Sequence, residues 1–308
     1  MMMNTPENRV AMDQLGRTIP RKCASVQHVL ADGKVASLEW EYYDTISCDN
    51  DAANFPTLIC LPDVANTALS FFRQLTALSA HGIRVVAVTP AGYQSLSVLT
   101  SGLDIFVTSV LRKTSAHFFG VGLGAYLVQC YAQTYSSRVL SAILCNGFLT
   151  TSHMEPTLFQ RTSIVMPEFM LKRHFLTKLN AEATDPLLVD LVELSADMIE
   201  SMNGAKLSGQ LAILMPAVGC SRALQPELVT IIRSDNVKLY NQATETEFEK
   251  AYADAKTAVI KDGGNMPQIA SAEEVNMFIQ VHIRNQEQRI KDADSASRAA
   301  AAAAAAEK

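Results

Sequence analysis

Residues 117–132 read HFFGVGLGAYLVQCYA. A short run of buried-strand character enters three glycines at alternate positions, Gly120, Gly122 and Gly124, and leaves as an apolar helical stretch. A strand that turns this sharply into a helix needs glycine for two reasons. The turn itself calls for a backbone conformation that side chains resist. The helix must also pass close to the strand it has just left, which small flanking residues permit.

The rest of the chain is organised around that unit. Upstream, SVQHVLA (25–31) and SLEWEYYD (37–44) read as paired strands joined through Asp32-Gly33-Lys34. TLICLP (57–62) and RVVAVTP (84–90) are continuous apolar strands separated by a helical ALSFFRQLTALSA (68–80), and a second helical stretch lies near 102–113. AHFFG (116–120), the helix over 122–135 and VLSAILCNG (139–147) complete the first half. Apolar strands alternating with helices predict an α/β protein, a mostly parallel sheet with helices on both faces.

The alternation stops after residue 150. PEFMLKRHFLTKL, DPLLVDLVELSADMIESM and AKLSGQLAIL read as three helices, the second started by Asp185 and Pro186. Alternation resumes with LVTIIRSD (228–235), ETEFEKAYADA, TAVIKDGG and a final helix opened by the capping pattern Ser271 to Glu274. The expected organisation is a core over 1–150, a helical cap over 151–222, a second part of the core over 223–290, and an Ala-rich tail over 291–308 to which no function is assigned.

Composition narrows the chemistry. A net charge of −5 and the lack of a basic stretch argue against nucleic acid. The six cysteines make no CxxC pair and the six histidines no ligand-spaced pair, so neither a metal nor a cofactor is expected. Cys60, Cys130 and Cys145 sit in apolar runs and read as buried thiols. The first sixteen residues lack the apolar core of a signal peptide, and no apolar run reaches membrane-spanning length. A cytoplasmic protein of a reducing compartment is the expectation.

GVGLGA (120–125) matches a dinucleotide fingerprint, but it follows several strands instead of opening the domain. The next strand ends at Asn146 where an acid should hold a ribose. The better match is the G-x-S-x-G turn that carries a hydrolase nucleophile, with Gly122 in the serine position. In that order of elements the acid follows the strand 228–234, where Asp235 stands, and the histidine belongs in the loop KDGGNMP, which offers Asn265. Glycine cannot attack and an amide cannot take a proton near neutral pH. Asp63, in the loop after TLICLP, would repel a developing oxyanion. No catalytic residue is therefore assigned, and Gly122, Asp235 and Asn265 are read as a degenerate triad.

FFRQLTAL (71–78), HFFGVGLGAYLVQ (117–129), RVLSAILCNGF (138–148), MPEFMLKR (166–173) and KDGGNMPQIASAEEVNMFIQVHI (261–283) resemble the maspardin family, a non-catalytic branch of the α/β-hydrolase superfamily. The family usually carries serine where this chain has Gly122, and Asn265 matches its asparagine in place of the histidine. The resemblance implies an α/β-hydrolase fold without hydrolase activity, in a cytosolic protein peripheral to endosomal or trans-Golgi membranes. It also implies an adaptor that binds a protein partner such as the cytoplasmic tail of a membrane receptor. Within the cap, Met166, Phe169, Met170 and Phe175 recur at helical spacing as candidates for partner binding, although such a face can equally serve to cover the sheet. A hydrolase with relocated catalytic residues and a small-molecule receptor using the vacated pocket remain the alternative readings.

Overall fold

The computed structural model describes residues 7–46, 55–92, 95–152, 154, 157–182, 189–215, 220–236 and 242–306. The Asp185–Pro186 helix start and His153 lie outside the described residues. Among the described residues eight strands form one sheet: β1 (Lys22–Val29), β2 (Val35–Asp44), β3 (Thr57–Leu61), β4 (Arg84–Thr89), β5 (Ala116–Val121), β6 (Val139–Cys145), β7 (Val229–Ser234) and β8 (Lys256–Ile260). Their spatial order is β1-β2-β4-β3-β5-β6-β7-β8. The pairs β1–β2 and β2–β4 are antiparallel and all others parallel. The expected hairpin and mostly parallel sheet are both present.

Strand burial follows position in the sheet. β2 alternates buried and exposed residues along most of its length, as a strand near one edge does, whereas β3, β4 and β5 are buried throughout. Two apolar layers result, because alternate residues of each strand face opposite sides. Ile59, Val86, Phe118 and Leu144 face a layer completed by α3 (Leu96–Ile105) and α4 (Leu123–Thr134). Leu58, Val85, Phe119 and Ile143 face the layer of α1 (Glu7–Thr18), α2 (Phe72–Ser79) and the long α11 (Ala272–Ala306). Between β6 and β7 the chain leaves the sheet for α5 (Leu158–Thr162), α6 (Glu168–Glu182), α7 (Val189–Ser201) and α8 (Gly204–Leu214). Gln242–Ala251 (α9) and Pro267–Ala270 (α10) complete the α-helices among the described residues.

The reading of Cys130 as a free buried thiol is corrected. It forms a disulfide with Cys220, across a sequence separation of 90 residues that no local spacing could have revealed. Cys60 and Cys145 are free and buried, and burial pushes both thiols far up, away from the reactive thiolate.

At the amino ends of the parallel strands, polar residues on the α11 face form a chain of hydrogen bonds. The Ser141 hydroxyl lies 2.7 Å from His117 Nδ1 and 2.7 Å from His282 Nε2. His282 Nδ1 lies 2.7 Å from the Thr230 hydroxyl, and His117 Nε2 lies 3.0 Å from a Glu287 carboxylate oxygen. One assignment satisfies every atom. Thr230 donates to His282, His282 to Ser141, Ser141 to His117, and His117 to the carboxylate. The chain ties β5, β6 and β7 to α11.

Burial, followed by the nearby His117 and Lys256, drives the His282 pKa down to about 3. Histidine in an unfolded chain titrates near 6.5. The unfolded state therefore binds more protons between those values, and stability present above about pH 6.5 is lost progressively as pH falls toward 3. Urea denaturation across this range should show that loss, and His282→Gln should flatten it; an unchanged slope would mean His282 stays protonated in the folded state.

Candidate functional site

The glycine turn lies at the carboxyl end of β5, in the middle of the sheet. Gly122 has φ 51° and ψ −113° and immediately precedes α4. Its N–H donates to the Cys145 carbonyl at 2.9 Å, and its carbonyl accepts from Tyr126 N–H at 3.2 Å. The flanking glycines are required by contact. A Cβ on Gly124 would overlap the Leu61 carbonyl, and one on Gly120 would overlap the α4 backbone at Ala125. Helix α4 thus rests directly on the end of β3, and the residues after β3 are delivered to the turn.

The first of them beyond Pro62 is Asp63. Its Oδ1 accepts from Val64 N–H and from Leu123 N–H, both at 2.7 Å. These are the two kinds of donor that stabilise an oxyanion in elbow hydrolases: the amide after the nucleophile and an amide from the loop after β3. Here both are taken by an internal carboxylate. Burial pushes the Asp63 pKa up to about 6, against the two amide hydrogen bonds that pull it down. The sequence had suggested a residue that repels an oxyanion. In the structure Asp63 occupies the oxyanion's place.

Asp63 also explains Gly122. A Cβ on Gly122 would overlap the Asp63 carboxyl group. The space that a nucleophilic side chain would fill is already occupied.

The other two triad positions lie apart from each other in their bonding. Asp235, exposed just beyond β7, accepts from Asp262 N–H at 2.9 Å, so its carboxylate is spent on the backbone of the loop after β8. Asn265 is exposed in that same loop, and among the described residues no hydrogen bond joins it to Asp235. Asn146, with φ 45°, holds the loops together: its Oδ1 accepts from Ser234 N–H at 2.9 Å and its Nδ2 donates to the Gly264 carbonyl at 3.2 Å.

Helix α8 packs on the loop after β3. Gln210 Oε1 accepts from Ala65 N–H at 2.8 Å, and Lys206, almost fully buried, pairs with Glu41 of β2. Gly92 packs so closely beneath α8 that a Cβ there would overlap the Ala205–Lys206 backbone. Leu171, Ile199, Met202, Leu207 and Leu211 form the cap's own core with Ala65. Met166 and Phe175 are partly buried against it, while Phe169 is 67% exposed and Met170 44% exposed. Leu158 and Val165, which the sequence did not single out, stand out further at 78% and 81%.

Among the described residues no group of histidines, cysteines or carboxylates could hold a metal ion, and no helix is long and apolar enough to cross a membrane. Serine, histidine and carboxylate do meet elsewhere, at Ser141, His117 and Glu287, in an order that imitates a catalytic triad. Ser141 and His117 have no exposed surface, and the serine oxygen is held by two imidazoles, so nothing can reach it.

Strand order, glycine elbow and inserted cap together define an α/β-hydrolase fold. Solved structures agree: an esterase from Thermogutta terrifontis superposes with a TM-score of 0.66 at 14% identity, over 85% of this chain and 99% of that one. The enol-lactonase from Burkholderia xenovorans LB400 gives 0.65 at 14% identity, over 84% and 100%. No protein-family model matches the chain. Curated relatives are more specific. Maspardin of Danio rerio is 31% identical over 276 residues, 86% of this chain and 84% of that protein, and maspardin of Homo sapiens is 31% identical over 256 residues, 79% of each. The chain belongs to the maspardin family.

Two substitutions test the elbow. Gly122→Ala should destabilise by roughly 2–4 kcal/mol, from backbone strain plus overlap with Asp63. In an Asp63→Gly background its added cost should drop to about 1 kcal/mol, the strain alone; equal costs in both backgrounds would mean that the two positions do not touch. Because the folded pKa of Asp63 is raised, the stability it permits is full below about pH 3.8 and is lost as pH rises through 6. Asp63→Asn should therefore raise the melting temperature at pH 7.5, and the gain should shrink on acidification to pH 4.

Proposed function

We propose that the chain is a catalytically inactive α/β-hydrolase-like protein that acts as a protein-binding adaptor in endosomal or trans-Golgi trafficking or in receptor signalling. The observation that carries the first half is the Asp63 carboxylate bonded to both oxyanion amides above a residue with no side chain. An ester would have to displace a buried carboxylate to reach those amides and would then meet no nucleophile. Asn265 adds the lack of a base, and α8 packs on the loop that carries Asp63.

The adaptor half is supported by the family resemblance and by the surface of the cap. Leu158, Val165, Phe169 and Met170 are large apolar residues left in solvent within one short segment. Exposed apolar patches of this kind mark contact sites on many proteins. The partner implied is a protein, such as a receptor's cytoplasmic tail, met at the membrane surface from the cytoplasm.

The inactive state requires several changes to undo, because the parts of a triad act as a unit. Purified protein should give no turnover of activated esters above buffer and no labelling by a fluorophosphonate, at Ser141 included. Gly122→Ser and Asn265→His should each stay at background, as should their combination while Asp63 remains. Adding Asp63→Gly should be the first step to yield feeble, serine-dependent turnover. Clear activity from Gly122→Ser alone would reveal an unseen base and end the inactive reading. For the adaptor half, Val165→Asp with Phe169→Asp should leave the melting temperature unchanged and remove specific partners from proximity labelling in native cells; an identical partner set would remove the cap surface from consideration.

A further inference from the structure

Both connections between the cap and the sheet are fastened to α4, by neighbouring residues of that helix. Gln129 holds the outgoing chain: its Nε2 donates to the Phe148 carbonyl at 2.9 Å, and the Phe148 ring stacks on Tyr126 with 4.8 Å between centroids. Cys130 holds the returning chain through its disulfide with Cys220. Cys220 N–H also donates to the Leu149 carbonyl at 3.0 Å, so the two connections lie side by side. One is held by a hydrogen bond and a ring contact, the other covalently.

The loop after β3 is bonded to both α4 and the cap. Leu123 N–H of α4 donates to Asp63, and Gln210 of α8 accepts from Ala65 N–H at 2.8 Å. Helix α8 ends at Leu214, six residues before Cys220. A tether of that length reaches at most about 20 Å when fully extended. The disulfide therefore confines α8 to the neighbourhood of α4 and of the loop that both helices contact.

The described cysteines differ in what can reach them. Cys60 and Cys145 have no exposed surface, whereas Cys130 and Cys220 retain 5% and 6%. A reductant meets the pair when the returning chain opens locally, a motion smaller than unfolding of the sheet. In the cytoplasmic setting proposed above, a disulfide serves redox sensing more often than it serves as a permanent staple.

We propose that Cys130–Cys220 is a thiol-operated lock that sets how firmly the cap is held on the sheet. A reductant thiolate attacks one sulfur, a mixed disulfide forms, and the other cysteine leaves as a thiolate that takes a proton. A second reductant thiolate then displaces the first cysteine. Two electrons and two protons have passed to the chain, and the reductant has become a disulfide; glutathione disulfide reverses the sequence. Opening the lock leaves the outgoing connection on Gln129 and frees the returning one, so α8 loosens from Ala65 while the strands keep their pairing.

Hydrogen exchange and peptide mass spectrometry of the full chain test the proposal. Protein treated with glutathione disulfide should yield a peptide in which Cys130 is linked to Cys220. Dithiothreitol or glutathione at neutral pH, without denaturant, should release both for alkylation while Cys60 and Cys145 stay unmodified. Reduction should speed exchange about fivefold or more at Ala65 and along α8, with β3 to β6 unchanged. The melting temperature should fall by roughly 5–10 °C, as loss of a cross-link over a long loop predicts. Cys220→Ala should exchange like the reduced chain and no longer respond to reductant, whereas Cys23→Ser, at an exposed free cysteine, should respond as the parent does. Reduced parent protein supplies the same comparison should Cys220→Ala fail to fold. No linked peptide, a bond that resists reduction until denaturant is added, or equal exchange in the two states overturns the proposal. None of these outcomes bears on partner binding, which proximity labelling reads separately.

Discussion

The close seating of α4 on the end of β3 is the constraint from which the rest of the site follows. Gly124 against the Leu61 carbonyl leaves no room for a side chain, so the helix N-terminus and the loop after β3 are held at a fixed, short separation. In an enzyme of this fold that separation aims two amides at one oxygen of a substrate. Here the same two amides converge on Asp63. A carboxylate oxygen in the hole meets the geometric demand that an oxyanion would meet, and the fold retains a complete, satisfied hydrogen-bond set where a substrate would otherwise be needed. The centre of the elbow is therefore filled, and it contributes to the packing of α4, β3 and β5.

The two ends of the sheet differ in a way that follows from strand direction. At the carboxyl ends, loops carry Asn146, Asp235 and Asn265, and the side chains of Asn146 and Asp235 bond to the backbone of the neighbouring strand end and loop. At the amino ends, His117, Ser141 and Thr230 project from three adjacent strands toward α11 and are matched by His282 and Glu287. Polar side chains inside a sheet are tolerated because each donor finds one acceptor, and a chain so arranged fixes the register of α11 on the sheet. Glu287, the last member of that chain, lines a groove at the amino ends of β3, β5 and β6.

Much of the fold was legible because it depends on short-range pattern. Apolar strands, the Asp32–Lys34 turn and the glycines at 120, 122 and 124 each carry a local physical signal, and the lack of a side chain at the elbow could be read from one position. Through-space relations were not legible. Asp63 was recognised as near the oxyanion loop, but that its side chain turns inward to accept both amides depends on the glycine contact between α4 and β3. Cys130 and Cys220 are brought together by the path of the cap. Helix α1 was missed because its stretch was judged only for a leader's apolar core, although Leu15 is buried against the α2 layer and Arg9 pairs with Glu193 and Asp197 of α7. In the cap, helical spacing located an apolar segment but not which residues face inward: Leu171 is buried, Met166 and Phe175 are partly covered, and Phe169 and Val165 stand free.

Gly122 and Asp63 also constrain the order in which the chain could have changed. A side chain at 122 and a carboxylate directed at it from 63 cannot share the same space, so an ancestor with serine in the elbow could not have acquired Asp63 in its present pose first. Glycine at 122 had to come before, or together with, the inward turn of the aspartate. Once both were present the way back closed: serine at 122 meets an occupied volume, and removing Asp63 alone leaves two buried amides without an acceptor. Each single reversal therefore works against contacts that the present pair makes. The contact between these two positions makes them a pair that can change only together.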